Sequence, residues 1–498
     1  MKTALAAVVT LGFVTFLSMP ASAGTPAPAP APKATAPVGP GALFVESEEG
    51  AASRLVLSGM VRTRLDYTRN YDDFKSSAGR NYRDDVNSRV QLGFLFQLNE
   101  NVDIFVQPQV DYYWGGRDIS RDNNGPDDAI YAAGDDNLRM YQAWVALHPE
   151  ILGRDSVLKV GRMELGLGNG MVVGDNSRYE GLSFDAVRLD LKLVQDLTTS
   201  IFGAKVIEND VAYVNGLSTD ISTDDPADLY LWGIYNSYNG LADTTIDVYG
   251  LLLQGERGIA GATINNYNGV AVVEQNLVTL GARLAINPIE LAPGGAFNFD
   301  LSLEAATQLG NNDVAGVHSR ITDAYAFEGE VGLTLGTVPM APRLAIGTAL
   351  ATGDSDPASD RDHTFQPIFE DTTNRLGDAD MFSLSNLKCW FLKGSVKPAE
   401  KLELGAAYYR FEAMHVETAV GGGNFTQPAN GAGAFAAAAG EDNDVADEFD
   451  FYADYKLTKN VGLRGVYAMV DPSEFIHDKA GFSNSQADRF FATLVVKW

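Results

Sequence analysis

The sequence predicts an all-β protein, a transmembrane antiparallel up-and-down β-barrel of about eighteen strands with long extracellular loops and short periplasmic turns. Three observations lead there. Apolar and polar residues alternate with a period of two along almost the whole chain beyond residue 50, the connections are by turns long and short, and the chain ends in a strand with one apolar face and an aromatic last residue.

The alternation is plain in "LSGMVRTRLDY", where Leu57, Val61, Leu65 and Tyr67 share one face and Ser58, Arg62, Arg64 and Asp66 the other. In "VDIFVQPQVDYYW", Val102, Ile104, Val106, Val110 and Tyr112 oppose Asp103, Gln107, Gln109 and Asp111. A soluble sandwich also alternates, so the connections carry the decision. Long polar connections are expected at 69–85, 115–136, 166–181, 207–228, 254–274, 309–324, 353–383, 412–445 and 471–488, with short ones at 99–101, 149–155, 195–196, 239–243, 288–295, 336–342, 397–401 and 457–460. Strict long–short alternation is the asymmetry of outer-membrane barrels, and a long first connection puts both barrel ends in the periplasm. In "RFFATLVVKW", Phe490, Ala492, Leu494, Val496 and Trp498 form the apolar face, opposite Arg489, Thr493 and Lys497. Such a strand is similar to the signal that the outer-membrane assembly machinery recognises.

The start of the chain reads as a cleaved signal peptide, residues 1–23, with Lys2, an apolar run from Ala4 to Leu17 and a small-residue site at Ala21-Ser22-Ala23. That run is short of the about 18 to 20 apolar residues a membrane helix needs. Residues 24–50 begin "GTPAPAPAPKATAPVGPG", too rich in Pro and Ala to bury a core, and are expected to be a flexible periplasmic leader to a barrel over 51–498.

Composition excludes several classes. A formal charge of −28 argues against a nucleic-acid partner. The single cysteine, Cys389, allows no intramolecular disulfide. The glycine-rich "GRMELGLGNGMVVGD" lacks phosphate-loop spacing, since the third glycine of G-x-G-x-x-G falls on Met171 or Val173. No G-x-S-x-G or H-E-x-x-H occurs, and the histidines, 148, 318, 363, 415 and 477, adjoin no nucleophile motif, so an enzyme is not expected. Asp354, Asp356, Asp360 and Asp362 lack EF-hand spacing and read as a solvated acidic loop, with no metal or other cofactor called for.

The stretch "LKVGRMELGLGNGMVVGDNSRYEGLSFDAVRLDLKL", 158–193, resembles the signature hairpin of the alginate-export family of outer-membrane porins through Gly161, Arg162, Glu164, Leu165, Gly174, Ser183, Phe184, Asp185, Val187 and Arg188. "GTALATGDSD", "HTFQPIF" and "DEFDFYADYKLTKNVGLRGVYAMVDPSEF" extend the likeness along the barrel. The resemblance implies an eighteen-stranded single-chain barrel and, in the family's namesake, an arginine-rich lumen that passes an anionic polysaccharide outward. Arginines common in the pattern are replaced here by Met171 and Leu182, which removes two cations that would face a polyanion.

Placing polar faces inward gives the expected pore lining: Arg62, Arg64, Arg162, Glu164, Arg188, Asp190, Lys205, Arg343 and Arg464. Arg62, Arg64, Arg162 and Arg188 are expected to form a basic track, because a guanidinium fork suits carboxylates. Arg162 with Glu164 and Arg188 with Asp190 are also placed to pair across the hairpin. The function expected is passive diffusion or export of hydrophilic, anionic or saccharide solutes, with outer-membrane lipid and lipopolysaccharide as surroundings and a small solute or oligosaccharide as ligand. The alternative is a structural or adhesive surface protein.

Overall fold

A computed structural model describes residues 43–46, 52–71, 74, 82–114, 138–175, 177–179, 181–207, 211–214, 217–220, 229–255, 264–265, 271–292, 294–314, 317–371, 375–418, 420–421, 434–435, 442–477 and 485–498. The expected signal peptide and most of the expected leader lie outside these residues. Within the stretch read as leader, Leu43–Glu46 form a short strand antiparallel to Ala52–Leu55.

Eighteen strands close into one antiparallel barrel. They are β1 Ala52–Arg69, β2 Tyr82–Asn99, β3 Val102–Tyr113, β4 Arg139–Leu147, β5 Arg154–Met163, β6 Phe184–Val194, β7 Leu197–Ile207, β8 Leu229–Leu241 and β9 Thr244–Gly255. The ring continues with β10 Ala271–Glu290, β11 Asn298–Val314, β12 Val317–Thr334, β13 Arg343–Ala351, β14 Leu387–Ala399, β15 Leu402–Ala413, β16 Asp444–Lys456, β17 Val461–Pro472 and β18 Ala487–Lys497. Each strand pairs with its successor, and β18 returns to β1 from Met60↔Lys497 to Arg69↔Asp488. Among the described residues no helix is long and apolar enough to cross a membrane.

The short connections fall where the turn residues predict, as at 195–196 and 457–460. The expected long connection at 309–324 does not: β11 runs to Val314 and β12 starts at Val317. The polar stretch around Asn311 and Asn312 reads as a loop by composition, yet Asn311 pairs with Arg320 and Asn312 with Ser319. Beyond the hydrocarbon, ladder hydrogen bonds hold a strand together with polar residues on both faces, because water solvates either side. At 20, 17 and 18 residues, β10, β11 and β12 exceed the about 9–11 needed to cross a bilayer.

In mid-barrel the faces follow the alternation. On β1 Leu57, Leu65 and Tyr67 point outward and are exposed, while Arg62 and Arg64 point inward and are buried. Toward the long connections the inner face turns apolar. Met163 pairs with Phe184, Ala186 with Ala204, and Leu231 with Leu253, all buried in one cluster inside the mouth of the barrel.

The β1–β18 seam extends past the last strand residue, because Trp498 and Gly59 exchange both backbone hydrogen bonds at 3.1 Å. The indole lies over Gly59, where a Cβ would come within 2.2 Å of the ring. Replacing Gly59 by valine is expected to push the indole off the seam and destabilise the barrel by about 1–3 kcal/mol, as overpacking does. The check is the folded-to-unfolded mobility shift of the purified protein on heating in detergent.

Candidate functional site

Two connections fold into the barrel instead of outward through their described residues: 164–175, 177–179 and 181–183, between β5 and β6, and 362–371 and 375–386, between β13 and β14, while 355–361 stay exposed. They hydrogen-bond to each other through backbone, Gly174 N–H to Phe369 O at 2.6 Å, Phe369 N–H to Val172 O at 2.8 Å and Asp371 N–H to Gly170 O at 2.8 Å. Their apolar residues, among them Met171, Val172, Val173, Leu182, Phe365, Ile368, Phe369 and Phe382, pack against the apolar inner rows of the strands. Met171 and Leu182 stand where the family pattern has cations and are fully buried in this cluster. A guanidinium there would be stranded without water. Together the two connections form a strap across the lumen.

One end of the strap is held by β1, β2 and β16–β18. Arg62 donates to the carbonyls of Ser177 at 2.8 Å and Arg178 and Tyr179 at 2.5 Å, Arg64 to that of Arg178 at 3.2 Å, and Arg89 to that of Tyr179 at 3.1 Å. Arg489, fully buried, binds Asp66 through both carboxylate oxygens at 3.1 and 2.7 Å and donates to the Ala379 carbonyl at 3.0 Å. The Asp378 and Ala379 N–H groups reach Asp450 at 2.9 Å and Glu448 at 2.8 Å. Asp378 also pairs with Arg178 and, at 3.1 Å, with Arg464. Burial raises the Asp378 carboxyl, but the two guanidinium groups outweigh it and hold it below the usual carboxylate value.

The other end is held by β10–β12. Asn169 donates its N–H to Glu304 at 2.9 Å and its amide to Ser302 at 2.7 Å and Glu328 at 2.8 Å. It accepts from Arg283 at 2.7 Å and, on its carbonyl, from Arg375 at 2.7 Å. Arg375 is buried against Glu328, and burial lowers its guanidinium to about 10, which leaves it charged at neutral pH. Gly168 explains part of the glycine-rich sequence: its φ is +57°, and a Cβ would meet the Glu304 carboxylate at 2.7 Å.

Beneath the strap lies a cavity of about 790 Å³ bounded by β1 and β14–β18. Arg62, Arg64, Arg178, Lys393, Lys456 and Arg464 supply six cations and Asp371, Asp378, Glu403, Asp450 and Asp454 five carboxylates, with Tyr409, Tyr452, Tyr455 and Phe491 between them. A smaller cavity, about 230 Å³, lies against β11–β14 beside Asn169 and Arg375.

The residues expected to line the pore divide into two groups. Arg62, Arg64, Arg188, Asp190, Arg343 and Arg464 lie on inward rows. Arg188 pairs with Asp190 at 2.9 Å, Arg343 with Asp300 at 2.5 Å and Glu330 at 2.8 Å, and Arg464 with Asp454 at 2.6 Å. Arg62 and Arg64 are held by loop carbonyls and are not the exposed cations expected. Arg162 does not share their lumen: it lies between the inward pairs Gly161–Ala186 and Met163–Phe184, on the outward row of Val160, and pairs with Asp185 at 2.8 Å. Lys205 is paired with Asp185 in register and is outward too. Glu164 accepts from Tyr141 at 2.6 Å and does not meet Arg162. The expected basic track is therefore interrupted. Its four arginines divide between the strap anchor, the outer wall and a local pair with Asp190.

Sequence reasoning passed over Tyr179, Arg178, Asn169, Arg375 and Asp378 because they lie in connections. The available signal was the apolar content of those connections, "GMVVG" and "FQPIF", too high for loops left in water.

The buried Glu370 carboxyl is expected to make the strap sensitive to pH. Burial, helped by Asp380 and Asp371, raises its carboxyl to about 8, although the Leu384 N–H donates to both oxygens at 3.1 Å. A folded value raised above the ordinary 4.5 means that the packed state binds more protons than the released one, so packing is strongest below 4.5 and weakens as pH rises toward 8. Hydrogen exchange of residues 365–386, corrected for intrinsic rates, is expected to speed up over that interval. Glu370→Gln is expected to flatten the dependence.

A family model described as alginate export matches residues 54–490. No curated protein sequence matches the chain. Similar folds are found in OccK9 (OpdG) of Pseudomonas aeruginosa, 13% identical with a TM-score of 0.55 over 89% of this chain and 98% of that one. OprD of the same organism is 12% identical with a TM-score of 0.53 over 89% and 94%. OccAB2 of Acinetobacter baumannii is 14% identical with a TM-score of 0.52 over 89% and 98%. With a closed barrel around a polar lumen and the family pattern matched almost end to end, the chain belongs to the alginate-export family and is an outer-membrane channel.

Proposed function

We propose that the channel passes hydrophilic solutes of up to oligosaccharide size, carboxylate-bearing ones included, by passive diffusion through the cavity beneath the strap. The observation that carries this reading is the lining of that cavity, six cations against five carboxylates with tyrosines between them. Nearly balanced charge favours weak ion selectivity. Tyrosines among fixed charges suit a hydroxyl-rich ring with a carboxylate better than a bare inorganic ion. A long polyanion is disfavoured because the cations are already engaged: Arg62 and Arg64 with carbonyls, Arg464 with Asp454 and Asp378, Lys393 with Glu330. A solved structure of OpdK with vanillate carries a small aromatic carboxylate on the same fold, which supports the carboxylate-bearing solutes at the small end of the range. The reading includes export through the signal peptide 1–23, with residues 24–50 as a periplasmic leader.

The test is conductance in planar bilayers, with reversal potentials in a salt gradient and mono- and oligosaccharides, neutral and uronic, as blockers. Expected are a small reversal potential and block by short uronic oligosaccharides at lower concentration than by neutral ones. Absence of channels would favour the structural surface role. Arg178→Ala with Asp378→Ala removes a charge pair that ties the two connections together, and is expected to raise single-channel conductance roughly two-fold or more while the barrel stays folded.

A further inference from the structure

The inner wall of β3–β6 carries a cluster of aromatic, amide and ammonium groups apart from the cavity of β1 and β14–β18. Phe105, Trp144 and Gly161 are level across β3, β4 and β5, and Gly161 lies on the inward row. Two residues along β5, toward the short turn, Lys159 faces the same way, level with Arg188 on β6. Two residues from Phe105 and Trp144, toward the long connections, Gln107 and Gln142 are partners in register.

These side chains fix one another. The Phe105 and Trp144 ring centroids stand 5.2 Å apart. The indole Nε1–H donates to Gln142 at 3.3 Å, and the Gln142 amide donates to Gln107 at 2.9 Å. Trp144 packs against the apolar cluster under the strap and is half-buried, as are Phe105, Gln107, Gln142 and Lys159. The indole therefore stands where the apolar packing of the strap gives way to the polar lumen, and Gly161 beside it brings no side chain.

Lys159 differs from the inward arginines described above. Arg188 is held by Asp190, Arg343 by Asp300 and Glu330, and Arg464 by Asp378 and Asp454. Among the described residues the Lys159 ammonium has no hydrogen bond and no ion pair; it rests on the Trp144 ring, 4.3 Å from the centroid. The neighbouring Asp190 carboxylate is taken by Arg188 and Ser200.

We infer that Trp144 and Lys159 form a binding station for a sugar ring that bears a carboxylate. The ring stacks on the aromatic pair, the carboxylate meets the Lys159 ammonium, and a hydroxyl meets the Gln107 and Gln142 amides. The inference rests on the solute class proposed above and gives that class a place on the wall. An ammonium without an acceptor gains a charge-assisted hydrogen bond from an incoming carboxylate, and the aromatic pair beside it offers an apolar surface to the C–H face of a ring. An open-chain acid finds only the ammonium, and a neutral sugar only the rings and amides, so the station prefers a molecule that carries both.

The experiment uses the full chain in planar bilayers and measures the concentration of D-glucuronate, D-glucose, D-gluconate and benzoate that halves the single-channel current. D-glucuronate is expected to act at the lowest concentration. Lys159→Met is expected to raise its value about tenfold, the loss of one hydrogen bond to a charged group, and to leave that of D-glucose unchanged. Lys159→Arg is expected to restore most of the loss. Trp144→Leu is expected to raise the values of D-glucuronate and D-glucose about fivefold and to leave that of D-gluconate unchanged. Lys388→Gln, at an exposed pair with Glu412 on the outer wall, is expected to change none of them. Block by D-glucuronate that is the same in Lys159→Met and Trp144→Leu as in the parent would overturn the inference and leave the solute class standing. A parent that D-glucuronate does not block overturns the solute class and the station with it. Benzoate as effective as D-glucuronate, or D-gluconate weakened as much as D-glucuronate by Trp144→Leu, would also overturn the inference. Heat-modifiable mobility of each variant reports that the barrel is intact.

Discussion

The barrel depends on one constraint: inside hydrocarbon no backbone N–H or C=O can be left without a partner. An open sheet has two edges that fail this condition, and closure removes both. The closing contact is the β1–β18 ladder from Met60↔Lys497 to Arg69↔Asp488, extended by the Gly59–Trp498 pair. Once the ring is closed, the period-two geometry of each strand sorts side chains into an outer and an inner set. Everything in the lumen is built on that inner set.

Closure creates a second difficulty. A ring of eighteen strands is too wide for its own side chains to fill, and the strap occupies the space near its mouth. The strap brings buried backbone with it, and the arginines of the wall supply the missing donors. Arg62, Arg64 and Arg89 face the carbonyls of 177–179, while Asp450, Glu448 and Glu304 accept N–H groups from Asp378, Ala379 and Asn169. Cations and carboxylates that read from sequence as pore lining act first as hydrogen-bond partners of an internal loop. The anchors lie on separate arcs of the ring, β1 and β18 on one side and β10–β12 on the other.

The face inversion near the long connections explains the misplacements. Alternation is enforced only across the hydrocarbon. Toward the long connections the outer row takes Arg162, Asp185 and Lys205, and the inner row takes Met163, Phe184 and Ala186, since the strap lies there. Arg162 shares parity with Leu158 and Val160, so the period alone places it outward. Its charge argued for the lumen, and the period was the sounder guide. Along β11 and β12 composition misled in another way, because polar residues on both faces look like a loop until their partner strand is known.

By itself the sequence determined the closed antiparallel barrel, its strand number and all but one of the alternating short and long connections, which rest on local periodicity and turn residues that each segment carries alone, and it pointed to the family through the residues of 158–193. Where the connections 164–183 and 352–386 go, and which arginines are held by carbonyls, which by carboxylates and which face outward, were decided only by the tertiary structure. Those outcomes join residues two hundred or more positions apart, as Arg178 joins Asp378 and Arg489 joins Asp66. A charged side chain has no fixed role until the fold decides whether its nearest partner is water, a carbonyl or a carboxylate.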